Sequence, residues 1–500
     1  MRTDILAKST GTQEYGIDMV MEGMVHATTR TNPRIGGGMK SYDASRAEAM
    51  RGVQKVVPIT GGVGVVADNT WRAFQAADAV TFEWGPAPYP ASSEALFAAV
   101  SESFDEKLQD NRFRNDGDID TALGDGEVLE AEYRIPYLAH APLEPMSAIV
   151  KVTDDRADIW TGTQIPRFMQ ANAARLLELD MDQVFVHVQV SGGSFGRRLE
   201  DDYVLQALEV AAQMKGTPVK MTWSREEDFS HDFPRTLAIS RARGKVSEGQ
   251  IDSYDLAIAS PSTAASSLKR LAQPAVGPDV AIVAGAWDQP FNIPNYRVTG
   301  YRTPELVPIS SWRSVGASGN GFLHEGFMDE LCHAAGVDPL QERLRLCWHE
   351  PSCKVLEAVG EMSDWGSDPG ADRGRGIAFS LAFGVPVAEV VEVTNTPDGI
   401  RIDKVFVAAD VGRVVDPVNF EAQVQGGVIW GLGHAMNCEL TYFDGMPEQT
   451  NFHDYEGMRL YQTPQIMVRG LENGEAIRGI GEPAVPPAAP ALAILRPAAR

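Results

Sequence analysis

Cysteine is scarce in this sequence: Cys332, Cys347, Cys353 and Cys438 are the four thiols among 500 residues. Iron-sulfur clusters and structural zinc need thiolates at short paired spacing, which these lack, so the chain is expected to hold neither by itself. Cys332 lies in an apolar helical pattern and reads as a small buried hydrophobe. Positive charge is short as well, with 44 Lys and Arg against 68 Asp and Glu and a formal net charge of -24. Such a surface repels phosphate backbones, and no basic run or basic-aromatic stripe offsets it, which argues against nucleic acid as a partner. No stretch is long and apolar enough to span a bilayer. Residues 1–15 hold neither a basic region followed by an apolar run nor a twin-arginine signal, so the chain as given reads as cytoplasmic. An internal start at Met1 of a longer gene would leave a periplasmic product open.

Hydrophobic residues make up 44% of the chain, enough at this length for more than one core. Residues 11–84 mix strand-like runs such as Val63-Gly64-Val65-Val66-Ala67 with a helical segment, Trp71 to Ala79, after Asp68-Asn69-Thr70. From Asp105 to Glu127 the chain is acidic and rich in Asp, Gly and Asn, and reads as an exposed linker. Val184, Val186, Val188 and Val190 share one face of a strand, Ser191 to Gly196 follow as a glycine loop, and a helix fits Asp202 to Met214. Leu323, Phe327 and Leu331 form a helical stripe before Gly336, and Val424, Val428 and Leu432 form another. Strands at Val385 to Val393 and Ile402 to Ala408 complete a mixed α/β (α+β) pattern without βαβ rhythm. The expected regions are 1–100, a linker at 101–129, then 130–330 and 331–500.

Three segments offer chemistry, each beside a plainer reading. Gly192-Gly193-Ser194-Phe195-Gly196-Arg197-Arg198 sets unhindered amides beside two guanidinium groups, which suits an anion; a tight turn with surface arginines explains it too. It lacks dinucleotide-fold and nucleotide-triphosphatase spacing, so nicotinamide and ATP have little support. Gly426, Gly427, Gly431 and Gly433 sit in a periodic apolar segment, where glycine costs about 1 kcal/mol against alanine, so another helix or a ligand comes close. Gln423 and Gln425 add amide groups, for a cofactor ring or for water. Glu482 stands between Gly481 and Pro483, a candidate general base or an ordinary loop glutamate. His140 fits a core imidazole, no His, Cys and acidic set has metal-ligand spacing, and no Gly-x-Ser-x-Gly elbow follows a strand.

Ala139-His140-Ala141-Pro142-Leu143-Glu144-Pro145, Thr163-Gln164, Gly192 to Arg198, Ser311-Trp312-Arg313-Ser314-Val315-Gly316 and Gly479 to Pro483 occur in a telling order. That order resembles the large subunits of the xanthine dehydrogenase and aldehyde oxidase family, across residues 11–495. The branch it resembles best is that of the isoquinoline 1-oxidoreductase large chains, the beta type, with relatives that oxidise nicotinate or aldehydes; Asn451-Phe452-His453-Asp454-Tyr455 is similar to that branch. The resemblance implies molybdenum held by pterin dithiolene sulfurs, in the molybdopterin cytosine dinucleotide form, and so no protein metal ligand. It implies that Glu482 deprotonates an oxygen ligand of molybdenum, which attacks an electron-poor carbon while hydride passes to a sulfido ligand. Gln164 matches the glutamine near the oxo ligand, Gly193 to Gly196 with Phe195 the loop past the metal, and Arg313 the arginine that stabilises charge on substrate. Gly192, Ser194, Arg197, Gln423, Gly426, Gly427 and Gly481 fall where the family contacts the pterin and its nucleotide tail. Gly11, Gly16-Ile17-Asp18, Met21 to Met24 and Gly52 to Val57 resemble the family's α/β hammerhead domain, within residues 1–100.

Two departures qualify the resemblance. The xanthine-oxidising enzymes carry a glutamate four residues after the loop phenylalanine; this chain has Leu199 there and Glu200 one place on, which argues against purines. The Met-Gly-Gln-Gly segment usual ahead of the hammerhead is absent, so another chain or upstream sequence is expected to supply it. A small iron-sulfur subunit with 2Fe-2S clusters is the expected electron-transfer partner, and a small molecule the substrate. The competing reading is a cofactor-free scaffold that keeps the fold and binds such a partner.

Overall fold

The computed structural model describes residues 4–124, 126–474 and 476–494 and the backbone of 496–497. Met1, Asp125 of the expected linker, Leu495 at the end of the family resemblance and residues 498–500 of the last expected region lie outside the described residues.

A seven-stranded sheet runs in the order β10 (Val184–Val188), β9 (Ala157–Thr161), β8 (Ser147–Val152), β11 (Val219–Thr222), β1 (Val25–Thr31), β4 (Gly62–Ala67) and β3 (Val53–Ile59). β4 is buried along its whole length. Val63 and Val65 pack on Ala76 and Ala77 of the helix Thr70–Asp78, which Asn69 caps as the sequence predicts. On the other face the helix Asp202–Ala212 comes so close that a Cβ on Gly64 would lie 2.4 Å from Val210. β1 pairs antiparallel with β4 and parallel with β11, Val25 opposite Val219. The expected boundary at residue 100 therefore cuts through one sheet and does not separate two: an apolar β1 needs partners on both edges, and the second comes from residues 219–222. The expected valine strand ends at Val188, which is 54% exposed because β10 is an edge.

The second sheet, five-stranded, runs β6 (Gln109–Asp116), β14 (Asn295–Arg302), β13 (Gln250–Ser260), β12 (Ala238–Ser247), β7 (Leu129–Ile135). Its first strand overturns the linker expected at 101–129: β6 pairs antiparallel with β14, and a short helix, Ile119–Ala122, follows. An edge strand keeps charge on its open side, which hides its periodicity, and several of the acids are tied down. Asp110 meets Arg302 at 2.6 Å and Asp120 meets Arg297 at 3.0 Å. The helix Ala317–Ala335 crosses this sheet, burying Leu323, Phe327 and Leu331 with Tyr254 and Tyr296, and ends at Gly336 with φ +67°. The division expected at residue 330 falls inside that helix.

The third sheet, also five-stranded, runs β20 (Gln465–Leu471), β17 (Gly399–Asp410), β16 (Val385–Thr396), β15 (Arg373–Ala382), β21 (Arg496–Pro497). The helix Glu350–Ser363 covers one face; the helices Pro417–Asn437 and Ala488–Ala493 cover the other, where Val424, Val428 and Leu432 meet Val391 and Val407. Two small ribbons pair β2 (Met39–Asp43) with β5 (Thr81–Trp84) and β18 (Tyr442–Phe443) with β19 (Met446–Pro447). The architecture is the mixed α/β expected.

Candidate functional site

The glycine loop is pinned from behind by Glu144. Its carboxylate accepts from the Gly192 N–H at 2.6 Å and from Arg198 Nη2 at 2.8 Å, while the Glu144 N–H donates to the Gly192 carbonyl at 3.1 Å. Phe195 is left-handed, with φ +55°, between Gly193 at +108° and Gly196 at +112°. Gly196 admits no side chain, because a Cβ there would fall 1.6 Å from the Ser311 carbonyl oxygen. Ser194 Oγ donates to Gln164 Oε1, and the Gln164 N–H donates to the Arg198 carbonyl at 2.9 Å. Gln164 and the loop thus move as one unit.

Arg197 corrects one expectation. Its guanidinium turns inward, 1% exposed, and binds both carboxylate oxygens of Asp202 at 2.8 and 2.9 Å, so it offers no phosphate contact. Asp202, the first residue of the following helix, supplies the charge that makes inward burial favourable. Arg198 is equally buried.

Phe195 stacks on Trp430 of the helix Pro417–Asn437, with ring centroids 4.0 Å apart. That helix carries the rest of the site. Gly427 and Gly431 face Ala484 and Ala488, where a Cβ would come to 3.0 and 2.7 Å, so these two glycines serve close packing. Gly426 faces Arg313 instead. Arg313 donates from Nε to the Gly481 carbonyl at 2.7 Å, from Nη1 to the Gly426 carbonyl at 3.0 Å and from Nη2 to the Gln423 carbonyl at 3.4 Å. Burial pulls its guanidinium below the usual arginine range, and the Glu482 carboxylate opposes that shift. Ser314 Oγ donates to the Glu482 carbonyl at 2.7 Å. Ser314 and Val315 take φ values of +77° and +50°, a strained turn that delivers Arg313 and Ser314 together. Glu482 itself is half-buried, and among the described residues no group donates to its carboxylate.

The structure therefore joins Gln164, the Gly192 to Gly196 loop, Gln423, Gly426, Arg313, Gly481 and Glu482 through one set of contacts. Ser311, Ser314, Glu144 and Trp430 are the site residues that sequence reasoning left without a role. Of these only Trp430, three places after Gly427, carried a periodic signal. His140 is the core imidazole expected: it is buried, with Nδ1 2.8 Å from Asp232.

Two family models described as "Molybdopterin cofactor-binding domain" match residues 104–346 and 334–464. The chain belongs to the molybdopterin-binding large subunits of the xanthine dehydrogenase and aldehyde oxidase family. It is 29% identical to the beta chain of isoquinoline 1-oxidoreductase of Brevundimonas diminuta, over 96% of this chain and 64% of that protein. With a nicotinate dehydrogenase subunit of Pseudomonas putida it shares 27% identity, over 98% of this chain and 44% of that one. The chain thus spans about half to two thirds of the length of these relatives. The solved structure of quinoline 2-oxidoreductase from Pseudomonas putida 86 matches the fold with a TM-score of 0.79 at 15% identity, covering 99% of this chain and 94% of that one.

The residues present fit the family's cofactor. Gln164 and Gln423 hold exposed amides at the two sides of the site. Gly479 has open space where a side chain would stand, and Gly426 and Gly481 meet only Arg313 and Gln423 at 4.0 and 3.4 Å, so a flat polar ring system can reach their backbones. Among the described residues no group of three His, Cys, Asp or Glu is placed to hold a metal. Also among the described residues, no helix is long and apolar enough to cross a membrane. Glu200, one place beyond Leu199, is bound by Arg270 through both oxygens at 2.7 Å and is not available at the position the xanthine-oxidising enzymes use. Nothing in this arrangement favours the scaffold reading.

Proposed function

We propose that this chain is the substrate-oxidising subunit of a molybdenum enzyme that adds water-derived oxygen to an electron-poor carbon of an aromatic N-heterocycle or an aldehyde. The observation that carries this is the convergence of Arg313 and Ser314 on the Gly481-Glu482 backbone, which holds a carboxylate that accepts no hydrogen bond among the described residues, on a segment packed against the helix whose Trp430 stacks on Phe195 of the glycine loop. When bound, molybdenum supplies the reactive oxygen and takes up the two electrons of the oxidation. Glu482 would act as the general base that takes up a proton at the site; the Gly481 and Glu482 carbonyls are each held by a side chain, so little ordering remains for the reaction. Three of the five N–H groups of Arg313 are committed to carbonyls, which fixes the guanidinium, and its charge, strengthened by burial, acts on developing negative charge at the site. Ser194 holds Gln164 at the loop, where its amide hydrogens stay free for the cofactor. The cofactor is the cytosine dinucleotide form, and electrons leave through a small subunit with 2Fe-2S clusters; that both relatives above are named as subunits supports a partner.

The test is a screen of molybdenum-replete protein with its partner in isotope-labelled water. Isoquinoline or an aromatic aldehyde is expected to give product carrying the water label. A clear preference for xanthine, or no oxidation of any of the three by replete protein, overturns the reading.

A further inference from the structure

An apolar cavity of about 660 Å³ lies on the far side of Trp312 from the site just described. Strand β7 and the residues after it, the helices Ala317–Ala335 and Pro417–Asn437 and the segment 485–493 line it, with Arg134 and Ile400 at its open side, and Leu138, Phe322, Val485 and Leu492 give it apolar walls. Its size is that of a small-molecule site. Neither Glu482 nor Gln164 nor Phe195 lines it.

Its polar content is unusual. Two arginines line it, and Arg134 is 58% exposed and paired with Glu132 at 2.9 Å. Arg235 lies deeper and has no carboxylate partner among the described residues: Nη2 donates to the Pro136 carbonyl at 3.0 Å, Nε has no partner, and Nη1 makes no hydrogen bond. Its guanidinium carbon sits 5.5 Å from the Trp312 ring centroid, which steadies the cation without neutralising it. Burial lowers the guanidinium to about 10, still charged at neutral pH. His434, the other titratable ring in the wall, is pulled down by burial to about 4 and adds no charge. A half-buried cation without a counter-ion among the described residues carries a desolvation cost, and a bound anion relieves it.

We infer that this cavity is a binding site for an apolar monocarboxylate, aromatic or of medium chain length, whose carboxylate pairs with Arg235 and whose body fills the space beside Trp312 and Phe322. One guanidinium matches one negative charge; a phosphate dianion would bring surplus charge into apolar walls. The site stands apart from the proposed oxidation chemistry and does not depend on it.

The test is isothermal titration of the full chain with benzoate and octanoate, beside benzyl alcohol and octanol as uncharged counterparts. One site per chain is expected, with each acid bound at least about tenfold tighter than its alcohol, as befits a charge-assisted hydrogen bond to a half-buried guanidinium. Arg235→Met is expected to erase that preference. Ala489→Leu keeps the arginine but fills part of the cavity, and is expected to weaken all four ligands. Equal affinity for acid and alcohol, unchanged acid binding in Arg235→Met, or no acid binding by folded wild-type protein overturns the inference. Should Arg235→Met lose its circular dichroism spectrum, Ala489→Leu decides, and acid affinity equal to wild type there overturns it.

Discussion

Glu482→Gln keeps the size and backbone contacts of the residue but cannot take a proton. Turnover is expected to fall by about 100-fold to 10,000-fold, the usual range for a general base, with molybdenum content unchanged. Near-wild-type turnover per molybdenum would remove Glu482 from that role. A second glutamate is informative for stability. Glu389 on β16 is fully buried, and neither of its carboxyl oxygens has a hydrogen-bond partner. Burial drives its acid well above the ordinary 4.5, so the folded protein keeps it protonated. A folded-state value raised above the unfolded one gives stability that is full below about 4.5 and is lost as pH rises toward the raised value. Glu389→Met is expected to stabilise the fold by about 1 to 3 kcal/mol, the cost of an unpaired buried polar group, seen as a higher urea midpoint, with a larger gain at alkaline than at acidic pH. Urea titrations at several pH values check this, and a gain independent of pH would mean that the acid is ionised in the fold.

The helix Pro417–Asn437 shows how one element serves packing and site at once. Gly431→Ala places a methyl 2.7 Å from Ala488 Cβ and 2.9 Å from the Val485 carbonyl oxygen, and backbone cannot yield as a side chain does. It is expected to cost about 1 to 3 kcal/mol and to lower molybdenum per chain, because the displaced segment also carries Glu482. Gly426→Ala meets only Arg313 at 4.0 Å, and should change the melting temperature little. Thermal melts with metal analysis on both variants check the pair; equal losses would show that the two glycines share one role. The helices over 202–212 and 417–437 were legible because burial of one face imposes a period that the sequence must carry, while the helix over 317–335, buried almost all round, was legible from its Leu323, Phe327 and Leu331 stripe and the Gly336 stop. Strand β6 was not, since an edge strand with an open side imposes almost none. At the site, ordered motifs brought Glu482, Gln164 and Arg313 forward. Arg197 misled because residue type does not fix direction: Asp202 draws it inward. The contacts of Ser314, Trp430 and Glu144 join residues far apart in the chain, and no local pattern records them.

At the scale of the molecule, the proposed oxidation requires that electrons leave the site. The four cysteines are free thiols, and burial pushes Cys332 and Cys438 up to about 12, far from the thiolates an iron-sulfur cluster needs. Cofactor-loaded chain alone is therefore expected to form about one product per molybdenum and stop, and an iron-containing partner to restore continuous turnover. Product counted per molybdenum, with and without the partner fraction, checks this; many turnovers by the isolated chain would contradict it. The parallel pairing of β1 with β11 also bears on how the protein is made. β1 and β4 leave the ribosome well before Val219, the partner of Val25, which follows about 190 residues later. At usual rates of synthesis that delay is roughly 10 to 40 s, during which β1 shows a bare hydrogen-bonding edge to every neighbouring nascent chain. Yield of active protein should then depend on translation speed and chaperone supply more than on the stability of the finished fold.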